Sequence, residues 1–221
     1  MYTQASQRAE QGEVTWSLDE MTGIQALERK MPDIPMQSGR CVRREFEYIR
    51  HGTQALIATL NVATGQIDLA TVGDTRTEAD LEHHLKNLIA QVPDAPKMHL
   101  VMDCLNTHRS EALVRLVAAL EDNPPELGVK GKSGILQSMD TRTAFLSNPC
   151  HRLVVHFTPK HCSWLNQIEI WFSILVRKLL RRSSFTSQAH LKTQIIGFVD
   201  YFNRTLAKPF KWNYTGKPLT S

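Results

Sequence analysis

The sequence predicts an α/β domain in which a mixed sheet is flanked by helices. Two observations carry that expectation. Five runs with strand character recur along the chain, and stripes of apolar residues at helical spacing fall after the third, fourth and fifth of them. The resulting order is three strands, helix, strand, helix, strand and terminal helices, which suits a sheet covered by helices with acids placed where strands end. The 221 residues, 42% of them apolar, are enough for one sizeable core, with or without an appendage.

Taken in order, residues 1–13 are polar and read as an N-terminal remnant or linker. Val14, Trp16 and Leu18 alternate with polar residues, the pattern of a half-buried strand whose end delivers Asp19 and Glu20. Residues 31–50, rich in Pro, Gly and charge, read as an excursion. Strands near 53–60 and 66–72 then flank a turn around Gly65, an antiparallel hairpin. Thr77 and Asp80 have the spacing of a capping box, and Leu81, Leu85, Leu88 and Ile89 continue that helix to about Gln91, before Pro93. The short apolar run 98–102 predicts a buried strand stopping at Asp103, followed by a helix over about 107–120. Residues 126–150, after a break at Pro124 and Pro125, lack periodicity and read as an insertion or long loop. A strand over 153–157 precedes two helices, 164 to about 181 and 187 to about 204. Their stripes are Ile168, Phe172, Leu175, Leu179 and Leu191, Ile195, Phe198, Phe202, and Trp164 and Trp171 read as helix-packing residues. The domain expected is thus 14–205, with a basic aromatic tail over 206–221.

Composition narrows the function classes. No run approaches the roughly 18 consecutive apolar residues of a membrane span, and the polar start has no signal-peptide character, so a cytoplasmic protein without a membrane partner is expected. Four irregularly spaced cysteines fit reduced thiols better than a disulfide framework. The net charge of +4 hides an asymmetry, because residues 151–221 hold eleven Lys/Arg and two acids, net +9, against −5 for the rest. A solvated basic surface accounts for this as well as a nucleic-acid partner does.

Acids at strand ends and helix starts are usually solvent-exposed, and each of Asp19, Asp103 and Glu169 alone fits that reading better than metal binding; taken together they fit one chemistry. Cleaving a DNA phosphodiester requires stabilising the attacking and leaving oxygens, which two Mg²⁺ ions do as a pair. Mg²⁺ takes a few carboxylates together with waters and phosphates. Asp19 and Asp103, each expected at a strand end, are placed to share a metal. Glu169 follows Ile168 of the apolar stripe, so it sits beside the stripe near a helix start. Glu20 is the weaker candidate beside Asp19, because adjacent strand residues point to opposite faces and only one can meet Asp103. The GlyLysSer at 131–133 is not a phosphate loop, since Glu126 stands where that pattern needs Gly. Cys150, His151, His156, His161 and Cys162 lack zinc-ligand spacing.

The strings SLDEMTGIQALER (17–29), EFEYIRHGTQALIATLNVATG (45–65), MDCLNTH (102–108), TPKHCSWLNQIEIWFSILVRKLLRRSSFTS (158–187) and FNRTLAKPFKWNYTGKPL (202–219) resemble bacterial insertion-sequence transposases related to mariner. The resemblance implies a ribonuclease H-like, retroviral-integrase-like fold and DDE-type catalysis. It places the catalytic, metal-binding acids at Asp19, Asp103 and Glu169, with Mg²⁺ or Mn²⁺ as two ions. It implies DNA partners, the element ends and the target, a homodimer, and a bacterial nucleoid setting. Asn106, His108 and Asn166 lie beside the acids as candidates to orient them or touch phosphate, although Asn106 and His108 suit helix capping equally. Lys160, Arg177, Lys178, Arg181, Arg182, Lys208 and Lys211, among aromatics, form the candidate DNA track. Cys104 departs from the family's polar residue. Relatives usually carry an N-terminal helix-turn-helix region, whereas 18 residues precede Asp19, so weak or unspecific cutting is expected of this chain alone. The alternatives are a ribonuclease H-like or junction nuclease that does not join strands, and an inactive DNA-binding remnant.

Overall fold

The computed structural model describes residues 1–43, 45–159 and 161–213. A five-stranded mixed sheet has the order β3-β2-β1-β4-β5. Strand β1 (Val14–Arg29) lies at its centre, antiparallel to β2 (Tyr48–Asn61) and parallel to β4 (Met98–Met102). Strand β3 (Ile67–Gly73) closes one edge antiparallel to β2, and β5 (Leu153–Phe157) closes the other parallel to β4.

Residues 15–19 of β1 are buried throughout, so the strand is not half-buried as its alternation predicts. The odd, polar positions are covered too, because a helix packs over them and supplies partners, as shown below. Strand β1 also continues ten residues past Asp19, so that acid is not at a strand end. Between Met21 and Ile24 the register with β2 slips by one residue, and Gly23 there has φ +66°. This bulge, at a backbone conformation that only glycine adopts freely, reverses the faces of the strand. Before it Trp16 and Leu18 join one apolar layer; after it Ile24 and Ala26 join the other.

The first layer is covered by α2 (Glu78–Ile89), α3 (Glu111–Ala118) and α4 (Met139–Leu146). The Thr77/Asp80 capping box of α2 is present. The expected helix over 107–120 is divided instead. A 3₁₀ turn, Thr107–Arg109, precedes α3, because the Ser110 side chain accepts from Leu113 N–H and starts the helix afresh. The expected loop over 126–150 contains α4, whose Ser138/Thr141 capping box is legible, but whose only buried helical residue is Leu146, so no stripe announces it.

The second layer is covered by α5 (Ile168–Leu175) and α6 (Gln188–Thr205). Helix α5 is shorter than predicted. A 3₁₀ turn, Ser163–Leu165, precedes it, Asn166 is extended, and a π-turn, Val176–Leu180, follows. Trp171 is fully buried, but Trp164 is exposed, outside the helix. The expected linker 1–13 is largely helical, with a 3₁₀ turn (Tyr2–Gln4) and α1 (Ala5–Glu10). The expected tail is described to residue 213, and Tyr214 and Lys217 lie outside the described residues. Its Lys208 carbonyl closes over the β2–β3 turn so tightly that a Cβ on Gly65 (φ +74°) would lie 2.0 Å from the oxygen.

Candidate active site

The acids meet because two neighbouring strands have different lengths. Parallel pairing of β1 with β4 ends at Ser17↔Val101, and β4 itself ends one residue later, while β1 continues beside β2 through Asp19↔Ala58. Asp103, leaving the end of β4, therefore turns into the space in front of Asp19. Ligating oxygens of these two acids and a nitrogen of His108 all lie within 4.8 Å of one another.

Asp19 is 6% exposed and sits on the face covered by α5. Its Oδ1 accepts from Glu20 N–H at 2.8 Å and its Oδ2 from Asn166 Nδ2 at 3.2 Å. Asn166 is completely buried; it also donates to the Leu18 carbonyl at 2.8 Å and accepts through Oδ1 from Ser17 Oγ. Ser17 Oγ in turn accepts from Ile168 N–H at 2.9 Å. These bonds tie the entry of α5 to β1 and give the buried Ser17 and Asp19 side chains their partners. Ser17 was not singled out from the sequence, although a Ser between Trp16 and Leu18 in a buried run needs a partner of this kind.

Glu169 lies in the first turn of α5, partly exposed, with its N–H donating to the Asn166 carbonyl at 3.1 Å. It lines an open cavity of about 290 Å³ with Met21, Ser173, Arg177 and Arg181. Its carboxyl is not within the 4.8 Å group. Its proximity to the pair is electrostatic: burial, then the charge of Asp103, raise its pKa.

His108 occupies the opposite side. Fully buried, it places Nδ1 2.7 Å from Asp103 Oδ1 and 3.2 Å from the Asp103 carbonyl, with Nε2 3.2 Å from Glu20 Oε1. Burial alone would lower its pKa, but hydrogen bonding and charge from Asp103 and Glu20 outweigh it and raise the value to about 10. His108 thus stands between two acids, one at each ring nitrogen, and a ring nitrogen also falls within reach of the Asp19 and Asp103 oxygens. His108 holds the Asp103 pKa below the usual carboxylate range. Asp19 goes the other way, raised to about 7 by burial, despite its hydrogen bond from Glu20 N–H, with the charge of Asp103 adding to the rise. Carboxylates held this close repel one another, and the hard oxygen set they present suits a divalent cation such as Mg²⁺ or Mn²⁺.

The other predicted residues are more scattered. Asn106 is exposed and begins the 3₁₀ turn. Cys104 Sγ turns to the Thr158 carbonyl, 3.1 Å away. Arg177, Lys178, Arg181 and Arg182 are exposed around the π-turn, and Arg181 offers its carbonyl to Arg29 at the far end of β1. Lys208 and Lys211, also exposed, do not continue that cluster. The Lys208 backbone sits against Gly65, next to the β2 residue that pairs with Trp16, near the other end of β1. Lys160 lies outside the described residues.

Residues 14–192 match the family described as DDE superfamily endonuclease. Among solved structures, the chain is similar to the protein in a pre-cleavage Mos1 transpososome, at 12% identity and a TM-score of 0.50, covering 90% of this chain and 56% of that one. It is also similar to the Mos1 mariner paired end complex with Mn, at 13% identity and a TM-score of 0.34, covering 86% of this chain and 53% of that one. The chain thus spans little more than half the length of these proteins. A comparison with curated protein sequences finds no match. The five-stranded sheet with its flanking helices is the ribonuclease H-like fold of that group.

Proposed function

The chain belongs to the DDE superfamily endonucleases, and from that premise we propose that it is the catalytic domain of a DNA transposase that cleaves strands at the ends of an element and joins them to target DNA. The observation that supports this most directly is the convergence of Asp19 and Asp103 where β4 ends, with Glu169 near enough for the charge of Asp103 to raise its pKa. In this reading Asp19, Asp103 and Glu169 hold two divalent ions, Mg²⁺ or Mn²⁺, which when bound polarise the phosphodiester and stabilise the attacking and leaving oxygens.

The remaining side chains orient and attract. Asn166 fixes the Asp19 carboxylate, and His108 with Leu105 N–H fixes that of Asp103. Arg177 and Arg181, beside Glu169, receive backbone phosphates, with Lys178 and Arg182 extending the positive surface. Lys208 and Lys211 form a separate contact. Water attacks the phosphorus and displaces the 3′ oxygen, and the freed 3′ hydroxyl then attacks a target phosphodiester and displaces the target's own 3′ oxygen, without a covalent protein intermediate. The bacterial insertion-sequence assignment, a nucleoid setting and a homodimer belong to this proposal. No helix among the described residues is long and apolar enough to cross a membrane.

Incubating the purified chain with plasmid and end-containing duplexes in Mg²⁺ or Mn²⁺ tests the proposal. Metal-dependent nicking and joined products that vanish in Asp103→Ala are expected. Nicking without joined products would instead indicate a nuclease. Equal nicking by the Asp103→Ala variant would remove the site assignment.

A further inference from the structure

We propose that the cavity between the ends of β4 and β5 is a nucleotide subsite, in which Arg109 holds a backbone phosphate of the bound DNA strand and His161 stacks on the base beside it. This rests on the reading that the chain cleaves DNA, and extends it to an opening that neither Arg177 nor Arg181 lines.

The cavity, of about 360 Å³, is bounded by Asp103, Arg109, Thr158, His161 and Ser163. It lies outside the carboxyl ends of two neighbouring parallel strands, the usual place for ligands in open α/β sheets. Two bonds join its walls: Thr158 N–H donates to the Met102 carbonyl at 2.9 Å, and Cys104 Sγ donates to the Thr158 carbonyl at 3.1 Å. The volume falls in the roughly 300–1,000 Å³ range of small-ligand pockets. Asp103 puts one edge of the cavity beside the acids.

Arg109 ends the 3₁₀ turn that follows β4, and its Nη2 donates to the Cys104 carbonyl at 2.8 Å. That bond fixes the guanidinium without neutralising it. Among the described residues Arg109 has no carboxylate partner, whereas Arg115 on the next helix pairs with Glu111, and the Arg109 Nε is buried without an acceptor. A half-buried guanidinium that is positioned but unpaired is a receptor for an anion, and a backbone phosphate is the anion that a DNA strand brings.

His161 supplies the second observation. Among the described residues it is the only non-glycine with positive φ, +61°, in a turn closed by Cys162 N–H to the Pro159 carbonyl at 3.1 Å. Glycine takes this conformation freely and other residues at a cost, so the backbone gives no reason for histidine here; a side chain on the cavity wall does. The residue is exposed, which leaves the ring open to a planar partner, and a DNA base is such a partner. Stacking needs no charge on the imidazole. A base that stacks there has left its own base pair, so the subsite takes an unpaired nucleotide.

The test is DNA binding to the purified full chain without divalent metal, read by fluorescence anisotropy across a salt series. The probes are a labelled duplex with an unpaired 3′ tail and the blunt duplex of the same sequence. Arg109→Gln can still donate to the Cys104 carbonyl but carries no charge; it is expected to reduce the salt slope of binding by about one, the share of a single phosphate contact. Arg109→Lys is expected to keep the slope. His161→Asn suits the turn and removes the ring, so it is expected to weaken binding of the tailed duplex about tenfold, with its slope and the blunt duplex unchanged. A wild-type slope in folded Arg109→Gln would overturn the proposal, and so would wild-type binding of the tailed duplex by His161→Asn. If Arg109→Gln does not fold, His161→Asn decides alone. Failure of the wild-type chain to bind either duplex would bring down the DNA-cleaving reading together with the subsite. Wild-type binding and nicking, with both variants unchanged, would bring down the subsite only.

Discussion

The two ends of β4 carry carboxylate–histidine groups whose histidine pKa values move in opposite directions. Beyond the strand's end, His108 stands between Asp103 and Glu20 and has its pKa raised to about 10. Near its start, His99 Nε2 lies 3.0 Å from Glu13 and His99 Nδ1 lies 3.0 Å from His156 Nε2. There burial lowers both pKa values, that of His156 to about 4, and His156 is lowered further by His99, Arg8, the N-terminal amine and Lys97. Burial is shared by the two groups, so it does not explain the difference. The count of neighbours does: two acids around one histidine against one acid, two histidines and several cations. A cavity of about 460 Å³ borders the second group, larger than the openings beside the acids. Size alone would misplace the chemistry, because only the first group gathers hard oxygen donors.

The largest expected effect tests that contrast directly. Asp103→Asn keeps the shape of the site but removes the charge proposed to hold a metal, a contribution of several kcal/mol to the transition state, so nicking should fall by roughly 10³-fold or more. His99→Gln, at the other end of β4, should change nicking by no more than about twofold, since its side-chain partners are Glu13 and His156 and not Asp19, Asp103 or Glu169. Rates measured at saturating Mg²⁺ decide the matter. A comparable loss in His99→Gln would break the distinction between the two ends.

A smaller effect is expected in what ties the acid end together. Asn166→Ala removes three hydrogen bonds and leaves Ser17 Oγ and the Leu18 carbonyl short of partners in a buried setting. The cost should be about 2–3 kcal/mol, read as a lower denaturation midpoint with an unchanged slope. Loss of only a few tenths of a kcal/mol would mean that water replaces the amide, and that the acid end is as open as the cavity beside His156.

These two ends were unequally legible in the sequence. Strands β2 to β5, helix α2 with its capping box and the stripes of α5 and α6 follow from local periodicity and capping, which the chain displays residue by residue. Asp19, Asp103 and Glu169 were singled out by their places and by resemblance. Glu20 is legible only as the weaker rival of Asp19, because adjacent strand residues diverge. That geometry holds, but it does not see a histidine placed to bridge the two faces from a turn 88 residues later. The His99–His156 pair was missed for a related reason. Each is a polar residue in a short apolar run, a sign that it has a partner, but the partner lies on a neighbouring strand. Helix α4 escaped because it buries almost nothing, and β1 was misjudged because the helix covering its polar face comes about 150 residues later.

The smallest expected effect sharpens the comparison through pH. His156 in the folded chain titrates near 4, below the ordinary histidine value of 6.5, so the folded state binds fewer protons than the unfolded chain between those values. Its contribution to stability is therefore complete above pH 6.5, is lost as pH falls toward 4, and changes no further below that. His108 has the opposite sign: raised to about 10, it stabilises below pH 6.5, and that contribution is lost as pH rises through 10. His156→Gln cannot titrate, so the stability difference between wild type and variant isolates the histidine from the carboxylates that titrate in the same acid range. Because His156 is only partly buried beside an open cavity, the difference should shift by about 1–2 kcal/mol between pH 7 and pH 4, well under the full value of its pKa change. Urea unfolding of both proteins across that range measures it. A flat difference would mean that His156 takes up its proton in the folded chain over the same range as in the unfolded one, so that burial and the surrounding charges do not set its state.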